Sequence, residues 1–181
     1  DQSNIAFTYT NLALLYKDKK DYQTALKYID QALKVDLQLN KSVEIGEDYL
    51  YLGEILLEKN DLPTALTAYQ NSITYLLPDY KKREQIYNFD FSNPIVGDRK
   101  LLIKAIAGVA KTYQKQYDLN SNISDLQQSV NTYRAVSQLV DRARFEFQNE
   151  GSKKFLLNTT QPILAEAVAA TVQLYQVTNN L

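Results

Sequence analysis

The chain has 181 residues, 45% of them apolar, and carries 20 Lys and Arg against 21 Asp and Glu. This near-zero net charge disfavours nucleic acid and anionic membranes as partners, and no apolar stretch reaches the roughly 20 residues of a membrane helix. Because His and Cys are absent, imidazole bases, thiol nucleophiles and most transition-metal sites are excluded, so we expect no enzyme activity, no metal and no cofactor in this segment.

The first forty residues show the apolar spacing of two helices. Their apolar side chains recur at steps of three and four residues, which places one apolar stripe on each helix. The stripes are Ile5, Ala6, Tyr9, Leu12, Ala13 and Tyr16, followed by Tyr22, Ala25, Leu26, Ile29, Ala32 and Leu33. No segment of the chain alternates as a strand would, so the sequence predicts an all-α fold.

Seven positions of this first helical pair recur 40 residues later. They are Tyr9, Leu12, Ala13, Tyr16, Ala25, Ile29 and Ala32 in the first copy, and Tyr49, Leu52, Gly53, Leu56, Ala65, Tyr69 and Ser72 in the second. The small residues Ala25 and Ala65 allow the second helix of each pair to approach the first closely. Asp21 and Asp61 stand where a carboxylate caps the free amides of the second helix, and Pro63 fits its first turn.

A third, longer pair follows between residues 99 and 149. Its helix-contact positions are Ile106, Val109, Ala110 and Tyr113 on the first helix and Ser129, Tyr133 and Val136 on the second. We expect Asp98 to open the first helix. Seven extra residues fall in the turn from Tyr117 to Ile123, and Ser124 with Gln127 forms a capping-box pattern where the second helix begins.

The recurring order of a large residue, Leu, a small residue and Tyr, followed by Ala, an aromatic and Ala, resembles the tetratricopeptide repeat (TPR). The resemblance implies a right-handed α-α superhelix of helical hairpins that forms a single solenoid over residues 1–181. We expect repeats at about 5–42, 45–77 and 99–149, a linker at about 78–98 and a truncated repeat at 152–181. Tyr9 and Tyr49 stand where this family often has Trp, and the repeats are longer than its usual unit.

The C-terminal part, about residues 101–181, resembles the repeat region that precedes a CHAT domain in bacterial proteins. A CHAT domain is a caspase- and separase-like protease module. The similarity is found in residues 113–119, 125–134, 139–153, 162–168 and 174–176. It implies that the chain is part of a larger bacterial protein whose catalytic His and Cys lie beyond residue 181.

The last helix, predicted from Ser152 to Gln176, contains Pro162. We therefore expect a kink or a new helix start near Thr160, which can act as a cap. Since no second helix follows, its apolar residues should lack part of their cover and favour a homodimer through this end. These residues are Ile163, Leu164, Val168, Val172 and Leu174.

The first helices of such hairpins line a concave surface, and this gives the candidate partner-binding residues. They are Phe7, Thr10, Leu14 and Lys17 in the first copy, Glu47, Leu50, Glu54 and Glu58 in the second, and Lys104, Lys111 and Lys115 in the third. An acidic row thus lies beside a basic row, which would orient an extended peptide. The alternative is that these charges belong to solvated helix faces that pair with each other, each pair giving about 0–1 kcal/mol.

We expect a protein-interaction or scaffolding module that binds a protein or peptide, as the regulatory arm of a larger bacterial protein. The alternative is a receptor for a small ligand or signal peptide. Such a receptor requires a deep apolar cavity, whereas a protein-interaction module requires an open polar groove. The Lys and Asn clamp with which the family binds C-terminal carboxylates is absent, because Thr10, Leu14, Tyr51 and Gly108 occupy its positions. Zero cysteines leave the compartment open.

The predicted linker is rich in aromatic residues. Tyr80, Tyr87, Phe89 and Phe91 lie there beside several charges. They either form a recognition patch or anchor the linker to the solenoid, and the sequence favours anchoring.

Overall fold

The computed structural model describes residues 2–80, 85–91, 98–146 and 150–179, with the side chains of 145–157 and 159 outside that description. Seven helices occupy these ranges, together with a short 3-10 turn at Ile86–Asn88. The helices are α1 (Gln2–Asp18), α2 (Tyr22–Gln38), α3 (Ser42–Glu58), α4 (Leu62–Leu76), α5 (Arg99–Asn120), α6 (Ile123–Glu146) and α7 (Glu150–Asn179). No strand occurs in the described ranges, so the predicted all-α class is confirmed.

Neighbouring helices pack as consecutive hairpins. The pairs α1–α2, α3–α4 and α5–α6 make the most extensive contacts, and α2–α3, α4–α5 and α6–α7 join one hairpin to the next. The odd-numbered helices also contact each other in sequence, α1 with α3, α3 with α5 and α5 with α7. This arrangement is the α-α superhelix of helical hairpins that the sequence predicts. No helix in the described ranges is both long and apolar enough to cross a membrane.

Small residues lie where the helices meet. Ala25, Ala65 and Ser129 are all fully buried. The Ser129 hydroxyl donates to the Ala110 carbonyl at 2.9 Å, and the Ser72 hydroxyl donates to the Gly46 carbonyl at 2.6 Å. These two serine hydroxyls therefore join the second helix of a hairpin to the backbone of its first helix. The small side chain of serine lets the two helices approach closely.

The predicted aspartate caps are confirmed at three helix starts. Asp21 accepts from the Thr24 amide at 3.1 Å, and Asp61 accepts from the Thr64 amide at 3.4 Å. Asp98 accepts from the amides of Lys100 at 2.9 Å and Leu101 at 3.1 Å. Each carboxylate thus satisfies amides that the first helical turn leaves free.

The helix ends repeat with a period of 20 residues. Lys20, Asn40 and Asn60 each adopt a left-handed backbone, with φ of 60°, 53° and 71°. In each case the following amide reaches back to the carbonyl five residues earlier, for example from Asp61 to Leu56 at 2.9 Å. The same turn therefore closes α1, α2 and α3, both inside a hairpin and between hairpins.

The third hairpin has a longer first helix, α5, and not a longer turn. Helix α5 continues to Asn120, so that only Ser121 and Asn122 separate it from α6. The expectation of seven extra residues in the turn is wrong, because those residues extend the helix. The cap is Asn122, whose side-chain oxygen accepts from the Ser124 amide at 3.0 Å, and not Ser124 itself.

Helix α7 runs without a break through Pro162. The expectation of a new helix start near Thr160 is wrong. Thr160, Ile163 and Ala170 are buried on both sides of the proline. Packing on both sides of the proline stabilises the helix and offsets the backbone hydrogen bond that is lost because proline has no N–H.

The aromatic residues between α4 and α5 pack inward. Tyr80 and Phe91 are buried, and the ring of Phe89 makes edge contacts with both, at centroid distances of 6.2 and 5.1 Å. The Tyr87 hydroxyl donates to the Gln128 side chain on α6 at 3.0 Å. These contacts favour the interpretation that the aromatics anchor this segment, of which residues 81–84 and 92–97 lie outside the described ranges.

Candidate partner-binding surface

The odd-numbered helices present one continuous surface, which we call the inner row. Polar bonds cross it from helix to helix. Thr10 donates to Asp48 at 2.8 Å between α1 and α3, and Lys115 donates to the Leu57 carbonyl at 2.8 Å between α5 and α3. Gln114 donates to Gln173 at 2.8 Å between α5 and α7. The inner row is therefore held together by polar contacts as well as by apolar packing.

Several charges of the predicted rows are paired with each other. Lys17 lies 2.9 Å from Glu54 and 3.9 Å from Glu58, and Lys111 lies 3.0 Å from Glu166 on α7. Burial lowers the pKa of Lys17, but the hydrogen bond and charge of Glu54 outweigh it, so the pKa is raised overall. For these residues the contacts match the alternative of helix faces that pair with each other.

Two of the predicted binding residues are buried. Leu50 is only 1% exposed and belongs to the apolar core, and Thr10 is buried with its hydroxyl bound to Asp48. The physical reason is that α3 contacts α1, α2, α4 and α5 and keeps only a narrow strip of free surface. Leu50 is therefore a packing residue, and its assignment to the binding surface is corrected.

Five of the other predicted residues of the second and third copies line a groove along α3, α5 and α7. This central groove is formed by Glu54, Glu58, Lys104, Lys111 and Lys115, together with Leu57. It comprises two adjoining pockets of about 320 and about 680 Å³. Among the residues that the structure describes, Lys104 has no ion-pair partner. The groove therefore carries both positive and negative side chains, and some of them form ion pairs within the protein.

Tyr69 of α4 forms part of the wall of the central groove and fills the space between two glycines. A Cβ atom at Gly53 would lie 2.7 Å from the Tyr69 ring, and one at Gly108 would lie 2.3 Å from it. Neither distance is possible for a real side chain, so the ring occupies space that only glycine leaves free. These contacts set how closely α3, α4 and α5 approach each other.

A separate pocket of about 280 Å³ lies at the N-terminal end of the inner row. We call it the acidic pocket. Its lining includes the predicted residues Phe7, Thr10, Leu14 and Glu47, together with Asp36, Lys41, Glu44, Asp48 and Tyr51. The Tyr51 hydroxyl donates to Glu47 at 2.8 Å, and Lys41 lies 3.5 Å from Glu44. Four carboxyl groups thus face this pocket against one ammonium group.

Asp48 is the most buried of these carboxyl groups, with 1% of its surface exposed. Burial raises its pKa to about 7. The Thr10 hydrogen bond acts in the opposite direction, whereas the charges of Asp36 and Glu47 and a hydrogen bond with the Asp36 side chain raise the pKa further. Burial and the charge of Glu44 likewise raise the pKa of Asp36. One Asp48 oxygen accepts from Thr10, and the carboxyl groups of Asp48 and Asp36 are hydrogen-bonded to each other, with Asp48 the one that holds the proton more readily.

Asp36 and Asp48 are not among the site residues predicted from the sequence. Each interrupts an apolar helical stripe, Asp36 after Ile29 and Leu33 and Asp48 between Ile45 and Leu52. A carboxyl group on an otherwise apolar face is uncommon, since an ionised group is costly to bury. That pattern is the signal by which both could have been found.

Residues 4–76 match the family model described as the tetratricopeptide repeat. The matched range extends from α1 to the last residue of α4 and therefore comprises the first two hairpins and the acidic pocket. None of the curated proteins matches the chain.

Proposed function

Because residues 4–76 match the tetratricopeptide repeat, a unit that generally mediates protein–protein interaction, we propose that the inner row binds a protein or peptide partner. The acidic pocket and the central groove are the two places where that partner would be held. The single observation that supports this role most directly is the pocket on the inner row that is lined by four carboxyl groups and one ammonium group. The module would act as a scaffold or a regulatory arm.

The alternative, a receptor for a small ligand or signal peptide, calls for a deep and mostly apolar cavity. Both pockets of the central groove instead carry charged residues. They include Glu54 and Lys104 in the smaller pocket, and Lys115 and Glu166 in the larger one, whose walls are otherwise mainly apolar. Charged walls suit an extended partner, because they fix its direction and speed encounter. The groove therefore favours a protein or peptide over a small ligand.

Charge reversal in the central groove tests this proposal. Lys104→Glu and Glu58→Lys each invert one charge of the groove, and Lys27→Glu inverts an exposed charge on α2, outside the inner row. We expect both groove variants to recover less of the partner in a pull-down from the source organism's lysate, read by mass spectrometry. The Lys27→Glu control should recover as much as the unchanged protein, and circular dichroism should show that all three are folded.

Unchanged partner recovery by both groove variants would contradict the proposal. The charges of the inner row would then be helix faces that only pair with one another.

We further propose that the chain belongs to a bacterial polypeptide with a CHAT protease module. The support is the similarity of residues 101–181 to the repeat region that precedes such modules. The coding sequence that follows residue 181 tests it directly. A module there with the paired His and Cys of a protease would support the proposal, and any unrelated sequence would overturn it.

We also propose a homodimer through α7. One face of the helix exposes Val168, Val172 and Tyr175, with 64%, 49% and 69% of their surface accessible. Ile163, which was predicted to belong to this contact, is buried and cannot take part in it. Light scattering over a range of concentrations should show dimers that are lost in a Val168→Lys, Val172→Lys variant. A strict monomer at high concentration would exclude this partner.

A further inference from the structure

Helix α7 has an exposed face without charge. Among residues 160–179, whose side chains the structure describes, the one acidic or basic residue is Glu166, and it is paired with Lys111 at 3.0 Å. Three large side chains on this part of the helix are nevertheless exposed, namely Val168, Val172 and Tyr175. A helix face that meets water normally carries charged residues. An uncharged face with large apolar side chains is instead typical of a contact surface.

The exposed face has the spacing of a coiled-coil seam. Six exposed residues follow one another at alternating steps of four and three, and they are Gln161, Ala165, Val168, Val172, Tyr175 and Asn179. These steps are those of the a and d positions, at which two helices pack along their length. The buried residues Ile163 and Ala170 lie on the opposite side of α7, which packs against α5 and α6. The seam therefore points away from the described hairpins.

The flank of the seam is open as well. Helix α7 contributes Val168 and Val172 to the wall of a groove of about 400 Å³, and α6 contributes Val130 and Arg134. A helix that packs on the seam would also cover this groove, and would bury more apolar surface than the seam alone offers.

The seam is complementary to itself when two copies of α7 run in opposite directions about a twofold axis at the level of residue 170. The facing pairs are then Val168 with Val172, Ala165 with Tyr175, and Gln161 with Asn179. The first pair is apolar on both sides, and the second places a small side chain against a large ring. The third brings together two carboxamides, each of which has donors and an acceptor for the other.

Two parallel copies would fit less well. Each residue of the seam would then face its own copy, so that two Tyr175 rings would crowd one layer and two Ala165 methyl groups would leave a gap in another. Crowding and gaps both weaken a packed contact. The lack of charge also favours a second copy as the occupant, because a charged partner would find no opposite charge on the seam.

We propose that α7 pairs with α7 of a second copy as an antiparallel two-helix contact, in which Tyr175 of each copy packs on Ala165 of the other. This inference rests on the proposed homodimer and gives it a direction, a register and a set of facing residues. A contact that uses the same face of both copies closes on itself, so it produces dimers and no larger assembly.

An exchange of side-chain sizes tests the register. Tyr175→Ala removes the ring and Ala165→Tyr places two rings opposite each other, so each should weaken dimerisation of the whole chain about tenfold or more. The double variant Ala165→Tyr, Tyr175→Ala again places a small residue opposite a large one, and should regain most of the affinity. Analytical ultracentrifugation measures the dimer. Both positions are exposed, so circular dichroism should show that every variant is folded.

Cross-linking tests the direction. The chain has no cysteine, so an introduced one reports on its own position when a short bismaleimide is added. A mixture of Gln161→Cys and Asn179→Cys should cross-link into dimers. Gln161→Cys alone should not, because antiparallel pairing separates its two copies by the 18 residues from Gln161 to Asn179, or about 27 Å of helix. The control is Lys27→Cys, on an exposed position of α2, which should not cross-link to Asn179→Cys.

Two results would overturn this inference and leave the homodimer standing. They are cross-linking of Gln161→Cys with itself, and an exchange double variant that regains no affinity. A monomer at every concentration would overturn the homodimer and this inference together, because another helix would then be the occupant of the seam. Partner binding by the inner row is tested separately by the pull-down.

Discussion

Asp48 is a buried carboxyl group whose ionisation opposes folding. Its pKa in the folded chain is about 7, against an ordinary value of 3.8. A group whose pKa rises on folding contributes stability that is fully present below its unfolded pKa and is lost as the pH rises through the folded one. On account of this residue, the free energy of unfolding should decrease between about pH 4 and about pH 7.

Substitution of Asp48 tests this linkage. Asp48→Asn cannot ionise, so we expect it to flatten the pH dependence and to raise the free energy of unfolding at pH 8 by up to about 4 kcal/mol. Urea denaturation at pH 4 and pH 8 measures the effect, with Asp79→Asn as an exposed control. The same pH dependence in Asp48→Asn and in the unchanged protein would show that another group is responsible.

Gly108 is required by the position of the Tyr69 ring. Gly108→Ala places a methyl group 2.3 Å from that ring, and overpacking of this kind destabilises by about 1–3 kcal/mol. The gain of up to about 1 kcal/mol in helix propensity from alanine offsets only part of it. Urea denaturation should therefore show a net loss of stability.

A second substitution, Tyr69→Leu, removes the aromatic ring that Gly108 faces. In a Tyr69→Leu background, Gly108→Ala should be much less harmful, because the smaller side chain makes room for the methyl group. An equal loss of stability in both backgrounds would mean that the contact with Tyr69 does not determine this position.

At the scale of the helical elements, the turns at Lys20, Asn40 and Asn60 share one backbone geometry with positive φ. Asn adopts this region more readily than most residues, and Lys does so only with strain. Lys20→Gly should therefore raise the free energy of unfolding by up to about 1 kcal/mol. Thermal unfolding measures it, and Lys19→Gly, at a neighbouring position without positive φ, should have the opposite sign.

The aspartate caps were easier to predict than the helix lengths. Asp21, Asp61 and Asp98 were identified correctly because a cap depends on amides two or three residues away. The length of α5 and the unbroken path of α7 through Pro162 were not, because packing against distant helices stabilises both. The 20-residue period of the turns was present in the sequence at Asn40 and Asn60, and it could have been read there.

At the scale of the whole molecule, the apolar core is divided unequally. A large cluster extends from α3 to α7, and a small one consists of Ala13, Ala25, Ile29 and Ile55 in the first hairpin and α3. In a solenoid each repeat is stabilised mainly by its neighbours, so the hairpin with the smaller core opens first.

Hydrogen exchange measured by mass spectrometry tests this division. Amides of α1 and α2 should exchange faster than amides of α4, α5 and α6, because the first hairpin opens without unfolding the rest. Equal protection across the chain would indicate a single cooperative unit instead.

The sequence by itself determined the helical class, the hairpin order and the small residues at helix contacts, because these depend on spacing within about 20–40 residues of chain. Only the tertiary structure decided which polar groups meet. Thr10 and Asp48 are 38 residues apart and hydrogen-bonded, and Lys17 and Glu54 are 37 residues apart and paired. Such contacts depend on how one hairpin rests on the next, and burial at that joint is also what raises the pKa of Asp48 and removes Leu50 from the surface.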